Sequence, residues 1–274
     1  MTFVLFVRKI FAFWKRDLLE SLGYPMPFAI EAGAIFFRAV TFFFIAKFLG
    51  AAAGGWLARY GGGDYFPYVL TGIALAGCQS TGLSGFAAAI HKEIGMGTLE
   101  SILLTPTSLN VLLAASALWH FLFAALRILF YLGVGCLLFR VDFSGMNAPA
   151  AAASIVLTMT SLMGLGMMSA AFILIYKKGD PVSALMSGLS RLLSGVYFPI
   201  QMLPAWMGTL SFFLPLTYGL EALRKSLLAG AGIAEIGPEL AALAVFSLLF
   251  LPLGVLLFNL AAKKARQDGT LAFA

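Results

Sequence analysis

Six mostly apolar stretches, each about 17 to 31 residues long, recur along this chain, with most of its charge held in the breaks between them. No other feature limits its fold so strongly. A helix rises 1.5 Å per residue, so about 20 apolar residues span the ~30 Å hydrocarbon core of a bilayer. Inside that core every backbone N–H and C=O must be satisfied within the protein, and for segments of this length the α-helix does so. The stretches run from about Phe28 to Leu49, Tyr65 to Ile90, Leu109 to Phe139, Ala150 to Tyr176, Val182 to Phe198 and Leu240 to Ala262. Only 11% of the residues are charged, against roughly 25% in soluble domains. The expectation is an all-α integral membrane protein, six transmembrane helices forming a single domain over residues 1–274.

The charge pattern orients it. The net charge of +6 is not a nucleic-acid stripe, because the basic residues collect at the ends of apolar stretches. With the N-terminus cytoplasmic, the inner segments hold Arg8, Lys9, Lys15, Arg16, Lys92, Lys177, Lys178, Lys263, Lys264 and Arg266. The outer segments hold Arg59, Arg140, Arg224 and Lys225. Ten against four follows the positive-inside rule and places both termini in the cytoplasm. Residues 1–24 lack the uninterrupted apolar core of a signal peptide. On a helical wheel Phe3, Val7, Phe11, Trp14 and Leu18 share one side, and Arg8, Lys9, Lys15, Arg16 and Glu20 the other. That is an amphipathic interfacial helix, ended by Gly23, Pro25 and Pro27. Cys78 and Cys136 fall within apolar stretches and read as core residues rather than a disulfide pair.

Four basic residues lie inside spans: Arg38, Lys47, Arg127 and Arg191. Lys47 is near enough to the outer edge to extend its ammonium to water. The three arginines sit deeper, where charge is costly unless paired or hydrated. Glu31, the only acidic residue in a span, precedes Arg38 by seven residues, on the same face but about two turns away. Two readings stay open: arginines held structurally by backbone carbonyls, or a path that attracts an anionic head group. Small residues in the second span (Gly72, Gly77, Gly82, Gly85) and the fourth (Ser161, Gly164, Gly166, Ser169) fit close helix packing. A lining for a bulky substrate is the alternative.

Two connecting regions are unusual. Residues 91–107, HKEIGMGTLESILLTPT, contain Leu99, Ile102 and Leu103 at helical spacing with Glu100 and Ser101 opposite, and Pro106 ends the pattern. This predicts a short charged helix on the cytoplasmic side, lying on lipid head groups or docking on a partner. In the KKGDP turn Asp180 can cap the fifth helix and Pro181 suits its first turn. Residues 199–236 begin with an uncharged, proline-broken run holding Pro199, Pro204 and Pro215. It predicts short re-entrant helices at the outer leaflet, followed by a more polar helix with Glu221, Arg224, Lys225 and Glu235.

The order of these parts resembles the permease subunit of a type-2 ATP-binding-cassette (ABC) exporter. The motifs are Glu93 with Gly97-Thr98-Leu99-Glu100 and Thr105-Pro106; Gly195-Val196-Tyr197-Phe198-Pro199 with Leu203-Pro204-Ala205-Trp206; and Pro215-Leu216-Thr217-Tyr218 with Leu223-Arg224. The resemblance implies that 91–107 carries a coupling helix for a separate ATPase subunit, present in two copies. Glu93, Gly97, Thr98, Leu99, Glu100, Ile102 and Leu103 would form that interface with Arg8, Lys9, Lys15 and Arg16. Glu93 and Glu100 would pair with basic groups of the ATPase. Two permease copies would pair, most simply as a homodimer, about a path with an outer gate, for which Arg38, Arg191, Tyr197, Phe198, Pro199, Pro204 and Pro215 are the candidates. The expected cargo is lipophilic or amphiphilic: a drug, a lipid or a lipid-linked glycan. The chain has no GxxxxGK[ST] phosphate loop, so ATP and magnesium would bind the partner and no cofactor this chain. His91 and His120 are too isolated for a metal site, so no enzyme chemistry is expected. Membrane lipid is a partner and nucleic acid is not. A bacterial-type inner membrane is the expected location. An ion-coupled secondary transporter is the alternative, weakened by the lack of an acidic residue at mid-membrane.

Overall fold

The structure, a computed structural model, describes residues 3–49, 64–97, 109–176 and 180–267. The described residues form helices and no strand. In order these are α1 (Phe3–Gly23), α2 (Met26–Leu49), α3 (Tyr65–Gly95), α4 (Leu109–Phe139), α5 (Ala148–Tyr176) and α6 (Pro181–Leu193). A 3₁₀ turn (Ile200–Met202), α7 (Ala205–Ser211), α8 (Pro215–Leu228) and α9 (Gly237–Gln267) follow.

Burial ranks the long helices. The most apolar window of α5 is 78% buried and that of α3 61%, against 17% for α9 and 11% for α2. So α5 and α3 form the centre, while α2 and α9 turn apolar side chains such as Phe37, Phe44, Leu248 and Leu256 outward. The small residues of α3 and α5 explain the close approach. A Cβ built on Gly164 would strike the backbone of Phe250 in α9, and one on Gly166 the carbonyl of Gly82 in α3. Gly254 of α9 returns the contact against the Gly164 carbonyl. Close packing is therefore what these glycines do, as small residues do wherever membrane helices touch backbone to backbone. Phe86, Ile128, Tyr131, Met159 and Phe258 fill the core around them.

The expectation of six spans is met by five helices long and apolar enough to cross a bilayer, among the described residues: α2, α3, α4, α5 and α9. The fifth stretch, expected to span from Val182 to Phe198, is helical only as α6, 13 residues and thus about 20 Å. The helix ends at Leu193, two residues before Gly195, whose φ of +79° is a left-handed conformation open to glycine. Pro199 follows and prevents resumption. At the other end of α6, Asp180 accepts from the Ser183 N–H at 3.0 Å and Pro181 occupies the first turn, as the turn sequence predicts. The proline-broken region after Phe198 resolves into the 3₁₀ turn and α7, with Pro215 opening α8.

Candidate functional site

Charged side chains from three helices meet in one cavity of about 330 Å³. Glu31 and Arg38 come from α2, Arg127 from α4 and Arg191 from α6, with Tyr131 and Tyr197 beside them. Arg127 is held from two sides. Its Nη1 donates to the Gly77 carbonyl of α3 at 2.6 Å and to Thr81 Oγ1 at 2.7 Å, while Nη2 pairs with Glu31. Gly77 makes room, because a Cβ there would sit 3.1 Å from Arg127 Cδ. Arg38 donates to the Tyr131 hydroxyl at 3.2 Å. Arg191 forms no ion pair or hydrogen bond among the described residues, and its side chain is exposed to the cavity. Three arginines against one glutamate leave two net positive charges, tolerable at this depth only with water or an anion beside them.

Of the two readings open for the arginines, the carbonyl-bound one describes Arg127. All three line a single chamber. Glu31, placed by spacing on the Arg38 face, has Arg127 of α4 as its ion-pair partner.

The segment between α6 and the 3₁₀ turn is pinned beside this cavity. Tyr65 donates its hydroxyl to the Tyr197 carbonyl at 2.7 Å and Tyr68 to that of Gly195 at 3.0 Å. Arg224 of α8, 2% exposed, donates to the carbonyls of Tyr68 at 3.1 Å and Val196 at 3.3 Å. Its guanidinium carbon lies 3.4 Å from the centre of the Tyr68 ring. Gly72 is required here because a Cβ would strike the Val196 carbonyl. Tyr197 stacks on Phe42 at 5.3 Å and borders the arginine cavity. Phe198 is half-buried, Pro199 is buried at the start of the 3₁₀ turn, Pro204 is exposed before α7 and Pro215 is buried at the start of α8. Among the candidate path residues, Arg38, Arg191 and Tyr197 line the cavity; Phe198 and the three prolines are not in its wall.

Around the end of α3, α1 is clamped by charge. Arg16 pairs with Glu93 at 2.8 Å and with its neighbour Asp17 at 3.0 Å; Lys92 pairs with Glu20 at 2.6 Å. Burial works against the Arg16 charge, but Glu93 and Asp17 outweigh it and raise its pKa above the ordinary value. Glu93 is 1% exposed, so within the chain its carboxylate is engaged by Arg16. The helical wheel put Arg16 and Glu20 on the polar side of an interfacial helix, and both pair with residues of α3. Arg8 and Lys15 are exposed and Lys9 is half-buried. Gly97 adopts a φ of +66° just beyond α3. Thr98, Leu99, Glu100, Ile102 and Leu103 lie outside the described residues. A second cavity of about 540 Å³ opens between α1, α2, α3 and α4, with Glu31 in its wall as well.

Sequence reasoning named Arg224 in a motif and among outer polar residues but missed its burial and partners, and it missed the tyrosines Tyr65, Tyr68 and Tyr131. A signal existed: Arg224 is flanked by apolar residues at positions 220, 223, 227 and 228, a spacing that turns it inward. A family model described as ABC-2 type transporter matches residues 8–228. No curated protein matches the chain.

Proposed function

The chain belongs to the ABC-2 type transporter family, and we propose that it is the transmembrane subunit of an ATP-driven exporter of a lipophilic or amphiphilic substrate. Membership implies association with an ABC ATPase, and the permease itself is the multi-pass transport subunit. In this reading two ATPase copies drive a dimer of permeases in a bacterial-type inner membrane, with both termini cytoplasmic. ATP and magnesium act on the ATPase.

The observation that carries the reading is the charged cavity among membrane-length helices, bordered by the pinned Gly195–Pro199 segment. A chamber with uncompensated positive charge at this depth is functional by default, because lipid gives it no counter-charge. ATP closes the ATPase pair, the loop 91–107 moves with it, and the cavity changes from inward- to outward-facing. Leu99, Ile102 and Leu103 supply the apolar docking face and Glu100 an acidic contact. Glu93 contributes through Arg16, tying α1 with Arg8, Lys9 and Lys15 to the base of that loop.

The test is affinity purification of the full chain from a mild detergent extract, with mass spectrometry of what accompanies it. A stoichiometric soluble ATPase, lost on changing Leu99 and Ile102 to Asp, is the expected result. Glu100→Arg should cut substrate-stimulated ATP turnover while leaving membrane insertion normal. A well-folded chain that never brings an ATPase overturns the motor-driven reading.

A further inference from the structure

Among the described residues, no other side chain shares the place of Glu31 between these cavities. Glu31 lines the arginine cavity, the 540 Å³ cavity beneath α1, and a third, apolar groove of about 220 Å³ between α2 and α4. That groove is walled by Phe28, Ala32, Ile35, Phe123, Leu126 and Phe130. Leu126 is 51% exposed and Phe130 43%, so the groove opens outward, where hydrocarbon lies. The Glu31–Arg127 pair also borders it. The ion pair is therefore the partition between an apolar groove open to lipid and a polar cavity.

The charges on either side of this partition are unequal. Glu31 neutralises Arg127, and among the described residues nothing acidic in the cavity wall neutralises Arg38 or Arg191. Arg127 does not depend on Glu31 for its position, since Nη1 is fixed by Gly77 and Thr81. If the carboxylate leaves, Nη2 stays in place as a vacant donor.

We propose that Glu31 is a built-in counter-ion which an anionic amphiphile displaces from Arg127, its phosphate- or carboxylate-type head entering the arginine cavity while its hydrocarbon chain lies in the α2–α4 groove. This rests on the export reading above and narrows its substrate class. Arg38 and Arg191 supply the further positive charge that makes a ligand anion preferable to the resident carboxylate. An amphiphile is the occupant because the anion site and the apolar groove share the Glu31–Arg127 wall, so one molecule can fill both.

The test uses the full chain in a neutral detergent and native mass spectrometry with three probes: dioleoyl phosphatidic acid, dioleoyl phosphatidylcholine and inorganic phosphate. Phosphatidic acid should bind roughly tenfold more tightly than phosphatidylcholine of the same chains, as charge-assisted hydrogen bonds require. Inorganic phosphate at equal concentration should not compete. Glu31→Gln should tighten phosphatidic acid binding, because no carboxylate has to be displaced. Arg191→Gln should weaken it about fivefold without altering thermal unfolding, since Arg191 has no partner to lose among the described residues. Lys264→Gln, an exposed basic residue on α9, should leave it unchanged. Equal binding of the two lipids, full competition by phosphate, weakening by Glu31→Gln in a folded chain, or dependence on Lys264 rather than Arg191 would each overturn the proposal. A chain that binds phosphatidic acid as expected yet brings no ATPase would overturn the motor-driven reading alone.

Discussion

Replacing Arg224 by methionine should loosen the segment that borders the cavity, and its cost can be worked from the contacts. The side chain is 2% exposed and donates to two carbonyls, those of Tyr68 and Val196. Hydrogen bonds from a charged donor contribute about 1.5–3 kcal/mol each. A desolvated cation over an aromatic ring adds about 2 kcal/mol. Against these stands the penalty of burying a guanidinium, several kcal/mol, which methionine does not incur. The balance is a loss of about 2–4 kcal/mol. With a shift of about 2–4 °C per kcal/mol for chains near this size, the unfolding midpoint should fall by roughly 5–15 °C. Tryptophan fluorescence of the detergent-solubilised chain during heating reads it. Gly72→Ala perturbs the same Val196 carbonyl, so the double variant should be less destabilised than the sum of the two. A methionine variant unfolding within 1–2 °C of the parent, or strict additivity with Gly72→Ala, would refute the view that Arg224 fastens this segment (thresholds of about the measurement error).

Three further outcomes follow from named contacts. Glu93→Gln should release α1, raising amide exchange across Phe3–Gly23 by about fivefold; this is about 1 kcal/mol for a pair whose Arg16 side is 39% exposed and partly screened. Arg16→Gln should do the same, and the double variant no more than either. Gly164→Leu should lower folded yield sharply, because its first side-chain carbon already meets the Phe250 backbone and overpacking costs about 1–3 kcal/mol or more. Gly188→Ala in α6 meets nothing within 4 Å and should be neutral or slightly stabilising in the same expression assay.

The sequence made some of this legible and hid the rest for physical reasons. Hydropathy located α2, α3, α4, α5 and α9, because a bilayer imposes length and apolarity on each helix separately. Gly23, Asp180 and Pro181 marked helix boundaries because caps and breakers act within a few residues. The length of α6 was overestimated: Gly195 and its apolar neighbours up to Phe198 read as membrane-compatible, and hydropathy does not register a left-handed turn. The deep arginines were visible as a cluster of costs, yet their partners were not. Glu31 was weighed against Arg38, seven residues along its own helix, while its true partner Arg127 lies 96 positions away. Arg16 was read only as part of the polar side of an interfacial helix, because amphipathicity counts polarity and cannot see that Glu93 waits on α3. Pairing across helices is the information a single-helix pattern lacks.

The unequal packing of the helices that wall the cavity bears on how it would open. One wall is built from α3, which is locked to α5 at the Gly166–Gly82 contact, and α5 is locked to α9 through Gly164 and Gly254. Backbone-to-backbone contacts of this kind leave no slack for sliding. The rest of the wall is α4, with Arg127 and Tyr131, and α2 and α6, which bring Arg38 and Arg191. The α2 window is only 11% buried, and α6 is 13 residues long with Leu185, Leu189 and Leu192 exposed. Elements with few buried contacts have the lowest cost of local rearrangement. A change from inward- to outward-facing should therefore move α2 and α6 against a fixed α3–α5–α9 block, carrying Arg38 and Arg191 relative to Arg127. Hydrogen exchange of the permease–ATPase complex with and without ATP tests it. Nucleotide should change exchange in α2 and α6 and leave α5 and α9 as they were. A change centred on the α5–α9 contact would place the moving boundary elsewhere and remove α2 from the gating role.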